Sequence, residues 1–297
     1  MRQGEVHANG LRFRYLEQGD GPLVLLLHGF PDNAYSWEHQ IPALADAGYR
    51  VVAPFLRGYP PTEVPPDGFY DRATLATDVK CLIDELNDGQ PCHLVGQDWG
   101  AAIGYGVLGA YPEWIRRAVL LAVPHPQQVR RTLRRSPRHL IRSFHWLLFQ
   151  LPVLPEILCR AGNFAFIGFL WRLWSPAFDD REHVARIKHM LAEPGAMAAT
   201  LAYYRAMFRS SRSDPRLAQV RTRLARPIGR PTMVLCGTRD MRSDMLDGQR
   251  DLFTGAYRWD EVRGAGHFLQ REQPAAVNAL ILDWLSAYHE ENSHEPC

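Results

Sequence analysis

Leu23 to Leu27 is an unbroken run of large aliphatic residues, and His28-Gly29-Phe30-Pro31-Asp32 follows it at once. A run this short, bounded by turn residues, is predicted to be a strand covered on both faces. Such strands belong to parallel sheets, whose crossover helices lie on the two sides. Most of the chain obeys the same requirement. Leu11 to Gln18 is a strand alternating around Phe13 and Tyr15, and Gly19-Asp20-Gly21 turns it back. Tyr49 to Ala53, His93 to Gly96 and Arg117 to Val123 are further strands. Between them lie a helical stretch ending at Gly48, a helix over Ala73 to Leu86 and a small-residue helix over Gly100 to Leu108. Alternation resumes with strand Thr232 to Cys236, helix Ser243 to Phe253, strand Tyr257 to Val262 and helix Pro274 to Tyr288. Pro124 to about Arg230 contains no β-run and reads as several helices separated by prolines. The expected fold class is therefore α/β: a mostly parallel sheet with helices on both faces, and an inserted helical unit. The core would take residues 1–124 and 231–297, and the helical unit 125–230. The polar tail Glu290 to Cys297 is expected to fray.

Apolar residues make up 46% and charged residues 22%, which excludes a disordered chain and supplies a large core. The 34 basic and 32 acidic residues nearly cancel, which argues against a nucleic-acid partner. Arg130, Arg131, Arg134, Arg135, Arg138 and Arg142 cluster at the start of the helical segment, and a solvated entry segment is the expected reading. The five cysteines are odd in number and show no CxxC spacing, so free thiols in a reducing compartment are expected. Met1 to Asp20 lacks an apolar leader. The greasiest stretches, Phe144 to Leu158 and Phe164 to Trp174, are shorter than the ~20 residues that span a bilayer. The expectation is a cytoplasmic protein without membrane insertion, acting as a monomer or homodimer on a small apolar molecule. No histidine pair has metal-ligand spacing on an evident helix face, so neither metal nor cofactor is expected.

Parallel sheets place their sites just past the C-terminal ends of strands. Four chemistry-bearing loops fall there: His28-Gly29-Phe30-Pro31-Asp32, Gly96-Gln97-Asp98-Trp99-Gly100, Cys236-Gly237-Thr238-Arg239-Asp240 and Gly264-Ala265-Gly266-His267. Gly96-x-Asp98-x-Gly100 has the shape of a nucleophile elbow, in which flanking glycines relieve clashes at a sharp strand-to-helix turn. The alternative is an Asp98 that merely caps the following helix. Chain order speaks for the elbow, because nucleophile, acid and histidine follow as Asp98, Asp240 and His267.

With these motifs, the chain resembles the α/β-hydrolase superfamily, and within it the epoxide hydrolases and haloalkane dehalogenases. The resemblance runs from Leu11 to Tyr288 and also rests on Arg57-Gly58-Tyr59 and Tyr203-Tyr204-Arg205. It implies an α/β-hydrolase core with a helical cap. A carboxylate nucleophile suits attack on sp3 carbon, which leaves an alkyl ester for water to cleave. His267 would activate that water, oriented by Asp240, and the backbone N–H groups of Phe30 and Trp99 would form the oxyanion hole. The epoxide hydrolase resemblance implies Tyr204 as proton donor to the opening epoxide. The position of the second cap tyrosine holds His145, a possible N–H donor. Phe144, Trp146, Phe149, Tyr203 and Phe208 are expected around the substrate, and cap packing is the blander reading of Trp146, Trp171 and Trp174 and of Tyr203 and Tyr204. The alternative is a dehalogenase, with Trp99, His145 and Trp146 binding halide. Fluoroacetate dehalogenases clamp a carboxylate with arginines directly after the nucleophile and one turn on. Here those positions are Trp99 and Ala102, which makes a haloacid a poor fit.

Overall fold

The computed structural model describes residues 1–136, 138–209 and 212–292. Eight strands form one sheet: β1 (Arg2–Ala8), β2 (Leu11–Gln18), β3 (Leu23–Leu27), β4 (Arg50–Pro54), β5 (Cys92–Gln97), β6 (Ile115–Leu121), β7 (Thr232–Gly237) and β8 (Tyr257–Val262). Their order is β1-β2-β4-β3-β5-β6-β7-β8. The first two pairings, β1 with β2 and β2 with β4, are antiparallel. From β4 onward every pairing is parallel.

Strand β3 shows why an unbroken apolar run was needed. Its side chains alternate between faces, and both faces are covered. Leu23, Leu25 and Leu27 enter one hydrophobic cluster, beneath α2 (Arg72–Asn87) and α3 (Trp99–Ala110). Val24 and Leu26 enter the other, with α1 (Gln40–Asp46) and the C-terminal helix. All five are buried, and burying each contributes roughly 1.5–3 kcal/mol.

Between β6 and β7 the chain is helical: α4 (Pro126–Arg135), α5 (Arg138–Arg142), α6 (Phe144–Leu148), α7 (Leu154–Trp174, broken at Ala161 to Phe164), α8 (Arg181–Ala192), α9 (Ala196–Phe208) and α10 (Ala218–Arg223). Polar contacts seat this insertion on the loops that leave the strands' C-terminal ends. The Trp171 indole N–H donates to the Pro31 carbonyl at 2.9 Å, and the Tyr203 hydroxyl to the Arg57 carbonyl at 2.8 Å. Buried His183 meets Asp32 at 2.6 Å, and Arg142 meets Asp244 at 2.9 Å. The chain closes with α11 (Leu269–Glu272) and α12 (Pro274–Asn292). No helix among the described residues is long and apolar enough to cross a membrane.

Two expectations need correction. The helix expected over Ser243 to Phe253 is absent. Two short 3-10 turns, Ser243–Met245 and Arg250–Leu252, stand there instead. Gly248, at φ +73°, divides them, and Met245, Leu246, Leu252 and Phe253 are buried from separate turns rather than from one helix face. Strand β1 was not expected at all. It is polar, with Val6 its one large aliphatic residue, and it joins the sheet edge through backbone pairing from Arg2↔Glu17 to Ala8↔Leu11. Of the polar tail, residues 293–297 lie outside the described residues, while α12 runs on to Asn292.

Candidate active site

Asp98 lies on the turn between β5 and α3, at φ 51° and ψ −115°, a backbone conformation that an Asp tolerates only when the surroundings impose it. The surroundings do impose it. A Cβ on Gly96 would stand 2.4 Å from the Gly100 carbonyl oxygen, and a Cβ on Gly100 would stand 2.0 Å from that of Leu27. Strand, turn and helix are packed too closely for any side chain at either position. The helix-cap reading fails, since the Asp98 side chain bonds to none of the first-turn amides of α3. Its Oδ1 accepts the Phe30 N–H at 2.9 Å instead, and its Oδ2 faces His267 Nε2 at 3.3 Å.

His267 enters from the loop after β8. Its N–H donates to the Trp174 carbonyl at 3.0 Å, its carbonyl accepts from Gln97 at 3.1 Å, and its Nδ1 lies 2.8 Å from Asp240 Oδ2. Asp98, His267 and Asp240 thus form one buried chain of three groups. Burial alone would raise the pKa of Asp98. The hydrogen bond and charge of His267, then the charge of Arg242, reverse this and hold the carboxyl below its ordinary value. Asp240 is likewise lowered, with burial opposing and His267 prevailing. For His267, burial and then Arg242 disfavour the imidazolium, but Asp240 and Asp98 outweigh them, so its pKa is raised. His28 is a different case. Burial pushes it down to about 4. The neutral ring accepts the Leu56 N–H at 3.1 Å on Nε2 and bonds the Gly29 carbonyl through Nδ1, which pins the loop carrying Phe30.

A cavity of about 310 Å³ opens over Asp98. Trp99, Trp146, Tyr204 and Phe208, all singled out in the sequence, line it. Burial and then the nearby Asp98 carboxylate raise the Tyr204 phenol well above its ordinary value, so it stays protonated. Other expected pocket residues are elsewhere. Tyr203 is fully buried, with its hydroxyl committed to Arg57, whose guanidinium is itself held by Asp78 at 2.6 and 2.8 Å. Phe149 is fully buried too, edge-on to Tyr204 and Phe30 with ring centroids 5.0 and 5.5 Å away. Phe144 packs against His145 and Phe166. His145 does not line the cavity. Its ring lies 5.6 Å from that of Tyr204 and 5.0 Å from that of Trp174, and burial drives its pKa well down, leaving it neutral. His145 and Phe149 pack edge-on against Tyr204, whereas Tyr203 packs on Tyr59 and Tyr70. Helix α9 thus turns Tyr203 and Tyr204 to different neighbours, which adjacency in sequence does not reveal.

One residue at the centre escaped sequence reasoning. Arg242 is 4% exposed and lines the cavity. Its Nη2 stands 3.1 Å from His267 Nδ1 and 3.4 Å from Nε2, and its guanidinium lies over the Trp174 ring at 5.3 Å. Its backbone N–H donates to Asp240 Oδ1 at 2.9 Å. The cue was its place two residues after Asp240, hidden in a chain rich in arginine. Arg242 acts on His267 electrostatically. Replacing it by methionine removes a charge that opposes protonation, so the His267 pKa should rise further. A base must be neutral to accept a proton, so the acidic limb of kcat should move to higher pH in Arg242→Met. A limb that stays in place or moves to lower pH would show that Arg242 serves packing alone.

With this geometry established, residues 22–144 match the alpha/beta hydrolase fold family. The chain is 33% identical to the AB hydrolase superfamily protein YfhM of Bacillus subtilis, over 94% of this chain and 96% of that protein. It is 31% identical to human epoxide hydrolase 4, over 94% of this chain and 77% of that protein. The chain belongs to the alpha/beta hydrolase superfamily, in its epoxide hydrolase branch. A Bacillus megaterium epoxide hydrolase, solved as a variant with its naphthyloxy-propane-1,2-diol product, superposes on this hydrolase with a TM-score of 0.82. It is 26% identical, over 95% of this chain and all of that one.

Proposed function

We propose that this hydrolase opens an epoxide to a vicinal diol through an ester on Asp98. The observation that carries the reading is a buried, ionised carboxylate on a nucleophile elbow, sharing one cavity with the protonated phenol of Tyr204. In the first step an Asp98 oxygen bonds to an epoxide carbon, the C–O bond breaks, and the oxygen takes the Tyr204 proton. In the second, His267 removes a proton from water, and the oxygen attacks the Asp98 carbonyl carbon. The oxyanion is held by the N–H groups of Phe30 and Trp99. The acyl–oxygen bond then breaks, the leaving alkoxide takes the proton held by His267, the diol departs, and the proton left on the Asp98 carboxyl returns to the Tyr204 phenolate. Water and epoxide yield diol, and no cofactor takes part. Residues 125–230 act as the cap. His145, Phe149 and Tyr203 position Tyr204, and Trp146 meets the substrate. The four described cysteines are free thiols, in keeping with work in the cytoplasm, as a monomer or homodimer.

Tyr204→Phe should slow ring opening by ~10²-fold or more. Stopped-flow measurement of the first step checks this, and an unchanged rate would remove Tyr204 from the mechanism. The dehalogenase alternative retains Trp99 and Trp146 on the cavity wall. Styrene-type epoxides and brominated alkanes, assayed in parallel for diol and halide, separate the two. Halide release without diol formation would overturn the epoxide reading.

A further inference from the structure

The cavity wall is less neutral than a pocket for a purely apolar substrate requires. Among the described residues that line it, Asp98 is the one carboxylate, and three are arginines: Arg72, Arg130 and Arg242. Arg242 is buried at the inner end beside His267. The other two differ from it in place and in company. Arg72 is the first residue of α2 and half-buried, and Arg130 is exposed on α4. Two further lining residues, Met207 and Phe208, are 41% and 54% exposed, whereas Asp98 and Tyr204 are 6% and 2% exposed. Exposure therefore rises from Asp98 outward, and Arg72 and Arg130 stand toward the mouth.

Among the described residues, neither guanidinium has a hydrogen-bond or ion-pair partner. Asp71, adjacent to Arg72, is engaged with the Ala73 and Asp214 N–H groups and the Thr74 hydroxyl. Two other arginines of the same segment do have counterions. Arg131 forms a bidentate pair with Asp251 at 2.8 Å, and Arg142 pairs with Asp244. Burial and then the charge of Arg130 lower the pKa of Arg72, and the nearby Asp71 carboxylate offsets them only in part. The rest of the wall is largely apolar, with Ala102, Val129, Leu133 and Phe208 among its residues.

From this arrangement we infer an anion subsite at the cavity mouth, formed by Arg72 and Arg130, that holds the carboxylate end of an amphiphilic substrate. The apolar wall takes the chain, and the far end presents its reacting carbon to Asp98. This deepens the epoxide reading and rests on it for the reacting group only. The Trp99 and Ala102 positions, where a haloacid clamp is missing, supply no charge to this subsite.

The test compares terminal epoxyoctanoate with its methyl ester, on wild type, Arg72→Gln and Arg130→Gln. Arg130 is exposed, so its variant is not at risk of misfolding. Wild type should favour the acid in kcat/KM by about tenfold or more, through KM, and each variant should lower the acid-to-ester ratio by about tenfold. An equal rate on both substrates, or a ratio that the variants leave in place, overturns the subsite while keeping the epoxide reading. Calorimetry with octanoate and octanamide decides the subsite even if neither epoxide turns over, an outcome that would sink the epoxide reading instead. Octanoate binding tighter than octanamide, and weakened in both variants, supports it. Octanoate binding no tighter than octanamide overturns it.

Discussion

Asp98→Ala is expected to lower epoxide turnover by roughly 10⁴-fold or more, as removal of a covalent nucleophile does. The protein should remain folded. Asp98 lies on a turn above the sheet, and neither hydrophobic cluster includes it. The variant does leave the Phe30 N–H without its acceptor, at a cost of about 1–3 kcal/mol. It also removes one of the two carboxylates that favour the His267 imidazolium, so the His267 pKa should fall toward its ordinary value. A circular dichroism spectrum like wild type, with a melting midpoint lower by several degrees, would show that the loss is chemical. Wild-type turnover in a folded Asp98→Ala protein would exclude catalysis through this carboxylate.

His267→Gln should separate the two half-reactions. Steady turnover should fall by roughly 10²- to 10⁴-fold, the range for loss of a general base. The first step should survive. Asp98 keeps the Phe30 N–H and the charge of Arg242, two of the causes that hold its carboxyl ionised. Rapid-quench measurement should therefore show one equivalent of epoxide consumed per enzyme, followed by a near halt. A slow linear course without that burst would mean that His267 also serves ring opening.

Most of the architecture was legible because one local rule governs it. Strands buried on both faces are dominated by apolar runs, and β3, β4, β5, β6 and β7 announce themselves by such runs, although β5 and β6 also carry His93, Gln97 and Arg117. Strand β1 does not, because an edge strand is held by backbone hydrogen bonds that carry no side-chain signature. The false helix at Ser243 to Phe253 came from apolar spacing that two short turns reproduce around Gly248. At the site, Asp98, Asp240 and His267 were legible since an elbow needs glycines at fixed offsets and the three residues follow a known order. Tyr204 was legible from its motif, while its neighbours were assigned to the cavity when they pack behind it. Nothing local distinguishes Tyr203 from Tyr204, and only tertiary contact with Arg57 does so. Arg72 and Arg242 were lost among many arginines, and Arg130 was read only as part of a solvated cluster. What marks them is burial or the absence of a counterion, and both arise only when the chain is folded.

The central claim is a covalent bond to Asp98, and the intact mass of His267→Gln after exposure to substrate tests it most directly. With an epoxide the protein should gain the whole mass of the epoxide, and peptide mapping should place the addition on the peptide containing Asp98. With a haloalkane the gain would be the alkyl group without its halogen, so the same spectrum names the leaving group. If wild type turns the epoxide over while His267→Gln stays inert and unmodified with either substrate, water attacks the substrate directly and the covalent mechanism is wrong.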